Sequence, residues 1–524
     1  MPPGELGSAG VSCPGGGYCC AMSLLRTKTV EQSIADTEEG EHKLRRELGP
    51  LDLVVFGVGV IVGTGIFVLT GKAAGTLAGP AIAISFVVAA IACGLAALCY
   101  AEFASTVPVA GSAYTFSFAT LGELMAWIIG WDLILELALG AATVASGWSG
   151  YFRVVMEDTF HVNLPGWIDG THHNLVAAAI VLILTAVLCF GIKLSTRVNL
   201  VVVAIKVTVV LLVIVAGLFY VDPGNWSPFI PPSGSEPAKG AETVPSLLQD
   251  IGLGTGTFGV GGIFTGAALV FFAFIGFDIV ATAAEETKKP QRDLPIGIFG
   301  SLAICTVLYV AVSLVITGMV PYNQVETDAP LAAAFQSVGE SGIAQIISVG
   351  ALAGLTTVIL ILMLGQSRIL FAMSRDRLLP PAFSAVSERF GTPYRTTILV
   401  GCIVAALSAL VSLDDLADLV NIGTLFAFIL VSIGVVVLRR TQPDLERSFR
   451  TPAVPLIPIL SALASFYLML NLPGETWIRF FVWMALGFVV YFLYSRTHSR
   501  LAPGADASSP TAAREPKAQT ETPA

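Results

Sequence analysis

Leu51-Asp-Leu-Val-Val-Phe-Gly-Val-Gly-Val-Ile-Val-Gly-Thr-Gly-Ile-Phe-Val-Leu-Thr70 is apolar over a length that would cross a bilayer as a helix, yet it carries Gly63-Thr64-Gly65 at its middle. Each interior glycine costs a helix about 1 kcal/mol of propensity. With apolar residues on both sides of the triplet, the stretch predicts a half-helix, a short extended piece and a second half-helix. Hydrocarbon offers no water to free N–H and C=O groups. A broken backbone at membrane depth is therefore tolerated only inside protein or along a cavity, where those groups become ligands for a charged solute.

The composition agrees with a bilayer as solvent. Of 524 residues, 55% are hydrophobic and 12% are charged, against about 25% charged in a soluble domain. The apolar runs predict an all-α integral membrane protein with twelve spans, near 51–70, 79–104, 121–152, 174–191, 198–220, 263–284, 295–320, 343–371, 396–412, 417–438, 454–472 and 477–494. Residues 1–45 form an N-terminal tail, 46–496 the twelve-span membrane domain and 497–524 a disordered tail rich in Ala, Ser, Pro and Thr. Residues 1–21 lack the cationic start and apolar core of a signal peptide, and charged, amphipathic sequence begins after Met22. Met22 is accordingly a candidate start, which N-terminal sequencing of the native protein would test.

Cationic side chains set the orientation. With the N-terminus inside, the inner segments near the membrane hold Lys43, Arg45, Arg46, Lys193, Arg197, Lys288, Lys289, Arg292, Arg375, Arg377, Arg389, Arg395, Arg439, Arg440, Arg447, Arg450, Arg496 and Arg500. The outer loops hold Lys72, Arg153, Lys239 and Arg479. Eighteen against four places both termini in the cytoplasm. The net charge of −9 points to no partner, since outward loops can carry Asp414, Asp415 and Asp418 without one, and nucleic acid binding has no support. Of eight cysteines, Cys93, Cys99, Cys189, Cys305 and Cys402 fall in apolar spans and Cys13, Cys19 and Cys20 in the N-terminal tail, so disulfides are not expected.

A second interruption lies in the sixth span. Phe271-Phe-Ala-Phe-Ile-Gly-Phe-Asp278 puts a glycine and a carboxylate into an apolar run, at the position that matches the first break if spans 6–10 repeat spans 1–5. Five spans per repeat is an odd number, so the repeats enter the membrane from opposite sides and their half-helix ends meet near the midplane. There, N-terminal ends offer N–H groups to a carboxylate and free carbonyls accept from an ammonium. A zwitterionic amino acid has both.

A charge at mid-span costs about 2.5–3.5 kcal/mol on insertion scales, so each needs a reason. Asp132 and Glu136 stand four residues apart, with Gly140, Thr143 and Gly147 continuing one small and polar helical face. Asp132, nearer the cytoplasmic end, reads as a snorkelling carboxylate on a packing face, and Glu136 as a group that loads and releases a proton. Lys206 is far from any other charge in the fifth span and suits free carbonyls of a broken helix, in place of a bound sodium ion. The alternative is a structural pairing with Glu136 or Asp278. Arg368 reads as a snorkelling anchor, and Glu285, Glu286, Lys288, Lys289 and Arg292 as a gate-side salt-bridge cluster or solvated surface. Gly254-Thr-Gly-Thr-Phe-Gly259 follows no strand, and Gly71-Lys72 lacks the rest of a phosphate-binding loop, so neither signals a nucleotide.

These residues resemble a known family. Gly-Thr-Gly-Ile-Phe of span 1, Trp131-Asp-Leu-Ile-Leu-Glu136, Phe271 to Asp278, the Ala-Ala-Glu-Glu-Thr-Lys-Lys-Pro-Gln-Arg-Asp-Leu-Pro that ends at Pro295, and Ala372-Met-Ser-Arg-Asp376 are similar to bacterial cationic amino acid transporters. That group belongs to the amino acid, polyamine and organocation superfamily. The similarity runs from about Met22 to Arg496. It implies a twelve-span secondary transporter with a five-plus-five inverted repeat that moves an amino acid with a proton by alternating access. By the same resemblance, the backbone at Thr64 and Gly65 meets the substrate carboxylate, carbonyls of Ile61, Phe272, Ala273 and Ile275 meet its amine, and Gly63 belongs to the same substrate site. Phe272 is the aromatic gate, Glu136 with Asp278 the proton-linked pair, and Lys206 the substitute for a cation. The proton is the coupling ion and no cofactor is expected. A small single-span subunit is compatible with the pattern. Substrates remain cationic or small neutral amino acids. An amino acid or polyamine exchanger without net proton coupling, and a membrane sensor that binds without transporting, stand as alternatives; no nucleophile, base or metal set marks an enzyme.

Overall fold

The computed structural model describes residues 48–106, 112–162, 165, 173–191, 196–238, 244–254, 257–282, 287–384, 392–445, 447 and 449–501. The predicted N-terminal tail with Cys13, Cys19 and Cys20, the pair Glu285 and Glu286, and the tail from Ala502 lie outside these residues.

Among the described residues the regular structure is helical, and only isolated bridges such as Leu48 with Thr287 represent β pairing. Eight helical segments are long and apolar enough to cross a membrane, and four shorter apolar helices stand beside them. The chain is thus a multi-pass membrane protein. The principal helices are α1 Pro50–Ile61, α2 Ile82–Thr106, α3 Glu123–Phe160, α4 Leu175–Cys189, α5 Thr196–Gly217, α6 Gly259–Val270, α7 Phe277–Thr282, α8 Pro290–Met319, α9 Ser341–Arg375, α10 Tyr394–Leu410, α11 Leu413–Thr441, α12 Leu456–Leu470 and α13 Gly474–Val490.

Leu51–Thr70 is not a continuous α-helix. α1 stops at Ile61, Val62 is extended (φ −71°, ψ 95°), and helical structure resumes in a wide π turn at Gly65–Leu69. The sixth span breaks as well. α6 ends at Val270, a tight turn covers Phe271–Phe274, Ile275 is extended (φ −60°, ψ 136°), and α7 begins at Phe277. Gly276 stands at φ +114°, a conformation an L side chain rarely adopts, so glycine is needed where the chain turns back into helix.

α3 and α9 are the longest helices, 38 and 35 residues, and they pack along each other at the centre with α11 against α3. Many small residues of α3 and α9 and α3's inward polar face are buried, whereas the shorter α12 and α13 keep many apolar side chains outward, among them Leu463, Ile478 and Val482. That outward apolar surface suits lipid. α13 is fixed to α3 by tryptophans: Trp131 Nε1 donates to Trp483 O (3.0 Å), Trp483 Nε1 donates back to Trp131 O (3.2 Å), and their rings stack at 4.6 Å.

Candidate functional site

A helix leaves its last four carbonyls without intrahelical donors. At the end of α1, the N–H of the capping residue and two side chains from distant helices meet this need. Val58 O accepts from the N–H of Val62 (2.9 Å), Gly59 O accepts from Lys206 Nζ (2.7 Å), and Ile61 O accepts from the Tyr309 hydroxyl (2.8 Å). Lys206 is fully buried, and its aliphatic stem lies over Gly354 of α9. No ion pair joins it to Glu136 or Asp278. Its ammonium is spent on the break, which is the first of the two readings the sequence allowed.

The break in the sixth span is served similarly. Leu269 O accepts from Asn421 Nδ2 (3.1 Å), Ala273 O from the Tyr309 hydroxyl (2.9 Å), and Phe272 O from Ile275 N–H (3.2 Å). Tyr309 therefore stands between the carbonyls of Ile61 and Ala273, one from each break. A hydroxyl has one proton, so it can donate to only one of them at a time.

The two breaks touch. A Cβ on Gly65 would lie 2.2 Å from Ala273 Cα, so glycine alone permits this approach of backbone to backbone. On the other side, a Cβ on Gly147 of α3 would fall 2.8 Å from Thr64 Cγ2. Ser146 precedes it. The hydroxyls of Thr64 and Ser146 are buried without a hydrogen-bond partner. Gly63, Thr64, Gly65, Phe272 and Ala273 are all buried, with Ile275 partly so, and Phe272 sits in the tight turn. The structure thus brings together every residue assigned from sequence to the carboxylate, the amine and the gate.

Glu136 lies one turn from Gly140 on the buried face of α3 and its Oε1 has no partner. Thr424 of α11 is beside it, but that hydroxyl donates to Val420 O (3.0 Å). Asp278 is near Glu136 and also caps α7: its Oδ1 accepts from Gly276 N–H (3.2 Å). Asp132 corrects the sequence reading. It does not snorkel; it is fully buried, and both its oxygens lack a hydrogen-bond partner.

Three residues here had no sequence signal that singled them out, and a fourth was passed over. Tyr309 and Ser146 are polar tips within apolar helices, and Asn421 is one amide in a long helix. Glu102, at the end of an apolar run, was the readable one: a lone carboxylate at that position needs a partner. It is fully buried and accepts Arg439 Nε (3.0 Å) and Nη2 (2.8 Å) and the N–H of Thr451 (2.8 Å), with Arg447 Nε at 3.4 Å.

Against known protein families, residues 48–492 match the model described as amino acid permease. The chain belongs to the amino acid permease family. The permease is 51% identical over 488 residues to the branched-chain amino acid permease BcaP of Bacillus subtilis, covering 91% of this chain and 99% of that protein. It is 47% identical over 485 residues to the methylthioribose transporter of the same organism, again 91% and 99% of the two chains. The vacuolar cationic amino acid transporter 4 of Arabidopsis thaliana is 32% identical over 600 residues, covering 91% of the permease and 96% of that protein. Both breaks, Glu136, Lys206 and Tyr309 fall within the matched span of the permease.

Proposed function

We propose that the permease takes up neutral aliphatic L-amino acids across the bacterial plasma membrane together with a proton, by alternating access. The observation that carries this reading is the contact between two interrupted helices, where Ile61 O and Ala273 O converge on a single hydroxyl. An ammonium has three donors and can serve both carbonyls, while the N–H groups of Thr64 and Gly65 serve a carboxylate, those of Ile66 and Phe67 being taken by Gly63 O. The five-plus-five inverted repeat and the cytoplasmic placement of both termini belong to this reading. So do the roles of Phe272 as gate and of Glu136 with Asp278 as the proton-linked pair.

Neutral substrate follows from the side chains near the breaks. Val358 lies 3.5 Å from where a Gly63 Cβ would be, and Leu362 lies 3.6 Å from that of Gly140. Both are aliphatic, and an isolated guanidinium held against them would be costly. The relative named for branched-chain amino acids points the same way. Uptake of a labelled panel (leucine, valine, alanine, lysine, arginine, methylthioribose) into proteoliposomes tests the assignment. Saturable leucine or valine uptake that excess lysine leaves unchanged is expected; preference for lysine or arginine would overturn it.

A further inference from the structure

Two buried carboxylates of the permease meet opposite treatment. Glu102 gathers two guanidinium groups and a backbone N–H, as a buried charge with a structural role must. Asp132 is equally inaccessible and gathers nothing: neither oxygen has a hydrogen-bond partner. Its neighbour across the helix contact is Gly423 of α11, where a Cβ would sit 2.9 Å from Oδ1. Glycine there leaves the carboxyl its space without offering it a donor.

Asp132 precedes Glu136 by four residues, which puts both on one face of α3, about 6 Å apart along the axis. Glu136 Oε1 is likewise unpartnered. Tyr100 of α2 lies near Asp132, Glu136 and Asp278 together, so the three carboxyl groups share one neighbourhood. The titratable groups facing the pair are Tyr100 and Asp278, while α9 presents the amide of Gln366, which donates to Ile134 O (3.2 Å). Other charges on the surrounding helices lie elsewhere, and Asp418 of α11 has Asp414, Asp415, Lys72 and Arg479 as its charged neighbours. Arg439 holds Glu102, Arg479 holds Asp415 and Glu475, Arg375 lies near Tyr114 and its acceptor Asp376, and Arg368 and Arg395 are exposed. A buried carboxyl without a donor is most stable neutral, and a neutral carboxyl is a proton in storage.

We propose that Asp132 is a second proton carrier of the transport cycle, receiving the proton from Glu136 and delivering it toward the cytoplasm. This rests on the reading of the permease as a proton symporter working through Glu136. In the step, the O–H bond of Glu136 breaks as one forms on Asp132, directly or over one water. Asp132 then yields the proton to water on the inner side, and no other reactant is consumed.

The test uses full-length permease in proteoliposomes, comparing wild type, Asp132→Asn and Asp132→Glu for labelled leucine counterflow, accumulation driven by an imposed proton gradient, and leucine-linked acidification of a trapped pH dye. For one-to-one symport, a gradient of about one pH unit supports about tenfold accumulation. Asp132→Asn is expected to keep counterflow, lose leucine-linked acidification and fall to an accumulation ratio near one, with Asp132→Glu restoring both proton readouts. An Asn variant that accumulates and acidifies as wild type does overturns the inference and leaves the symport reading standing. Wild type that accumulates nothing under the gradient overturns the reading and the inference with it. If Asn and Glu variants both lose counterflow and melt early in detergent, Asp132 is structural and the inference is wrong.

Discussion

At Glu136 the chemistry of the site narrows to one side chain: a carboxyl on the inner face of α3, buried, with one oxygen unpartnered and Asp278 as its acidic neighbour. Replacing it by Gln keeps size and hydrogen-bonding shape but removes the proton. Glu136→Gln should abolish gradient-driven accumulation of leucine while leaving counterflow, which paired assays in the same vesicles would measure. Tyr309 predicts differently. Its one hydroxyl proton is shared between two buried carbonyls, and leaving a buried acceptor unsatisfied costs about 1–3 kcal/mol. Tyr309→Phe should therefore lower stability in detergent by about that amount, read from a thermal or denaturant midpoint. For Lys206→Ala, Gly59 O loses its ammonium and the α1 break its anchor; uptake should collapse, measured as initial rate per inserted protein.

The elements show why one glycine matters more than its neighbours. α1 and the resumed helix are separated by a break whose closest approach to the sixth span is Gly65 against Ala273, backbone to backbone. A methyl group cannot displace a Cα by rotating away. Gly65→Ala should leave the protein inserted and monodisperse by size exclusion yet without uptake. Glu102 ties the end of α2 to the end of α11 and to the chain beyond it through Arg439 and Thr451. Removing one partner of a buried ion pair costs about 3–5 kcal/mol, so Glu102→Ala should melt far earlier than the wild type. The breaks themselves were legible in the sequence because glycine's helix penalty is local and the apolar flanks are continuous. Asp132 was misread because position along a span suggests distance to water, whereas burial depends on which helices pack around it. Tyr309 was hidden for the same reason: its partners lie 248 and 36 residues away, and nothing in its own helix marks it.

At the scale of the whole molecule, the side assigned to the exterior carries ion pairs between helices: Lys72 with Asp414, Arg479 with Asp415, and Arg153 with Asp328 at 3.1 Å. They are partly exposed, and such pairs are worth about 0–1 kcal/mol each. Asp414→Asn should accordingly change leucine uptake by no more than about fivefold, checked by initial rates at several salt concentrations. The broad class of the fold was readable from composition and apolar run length. The packing that sets the site was not, because α3 and α9 meet where Leu362 lies against Gly140 and Leu137 against Gly365, pairings that no local pattern specifies. The measurement that most directly tests the central claim is net proton movement during leucine entry into wild-type proteoliposomes, with the membrane potential clamped. The account predicts acidification of the lumen that begins with leucine and saturates with it. Leucine entry without any proton movement would contradict it.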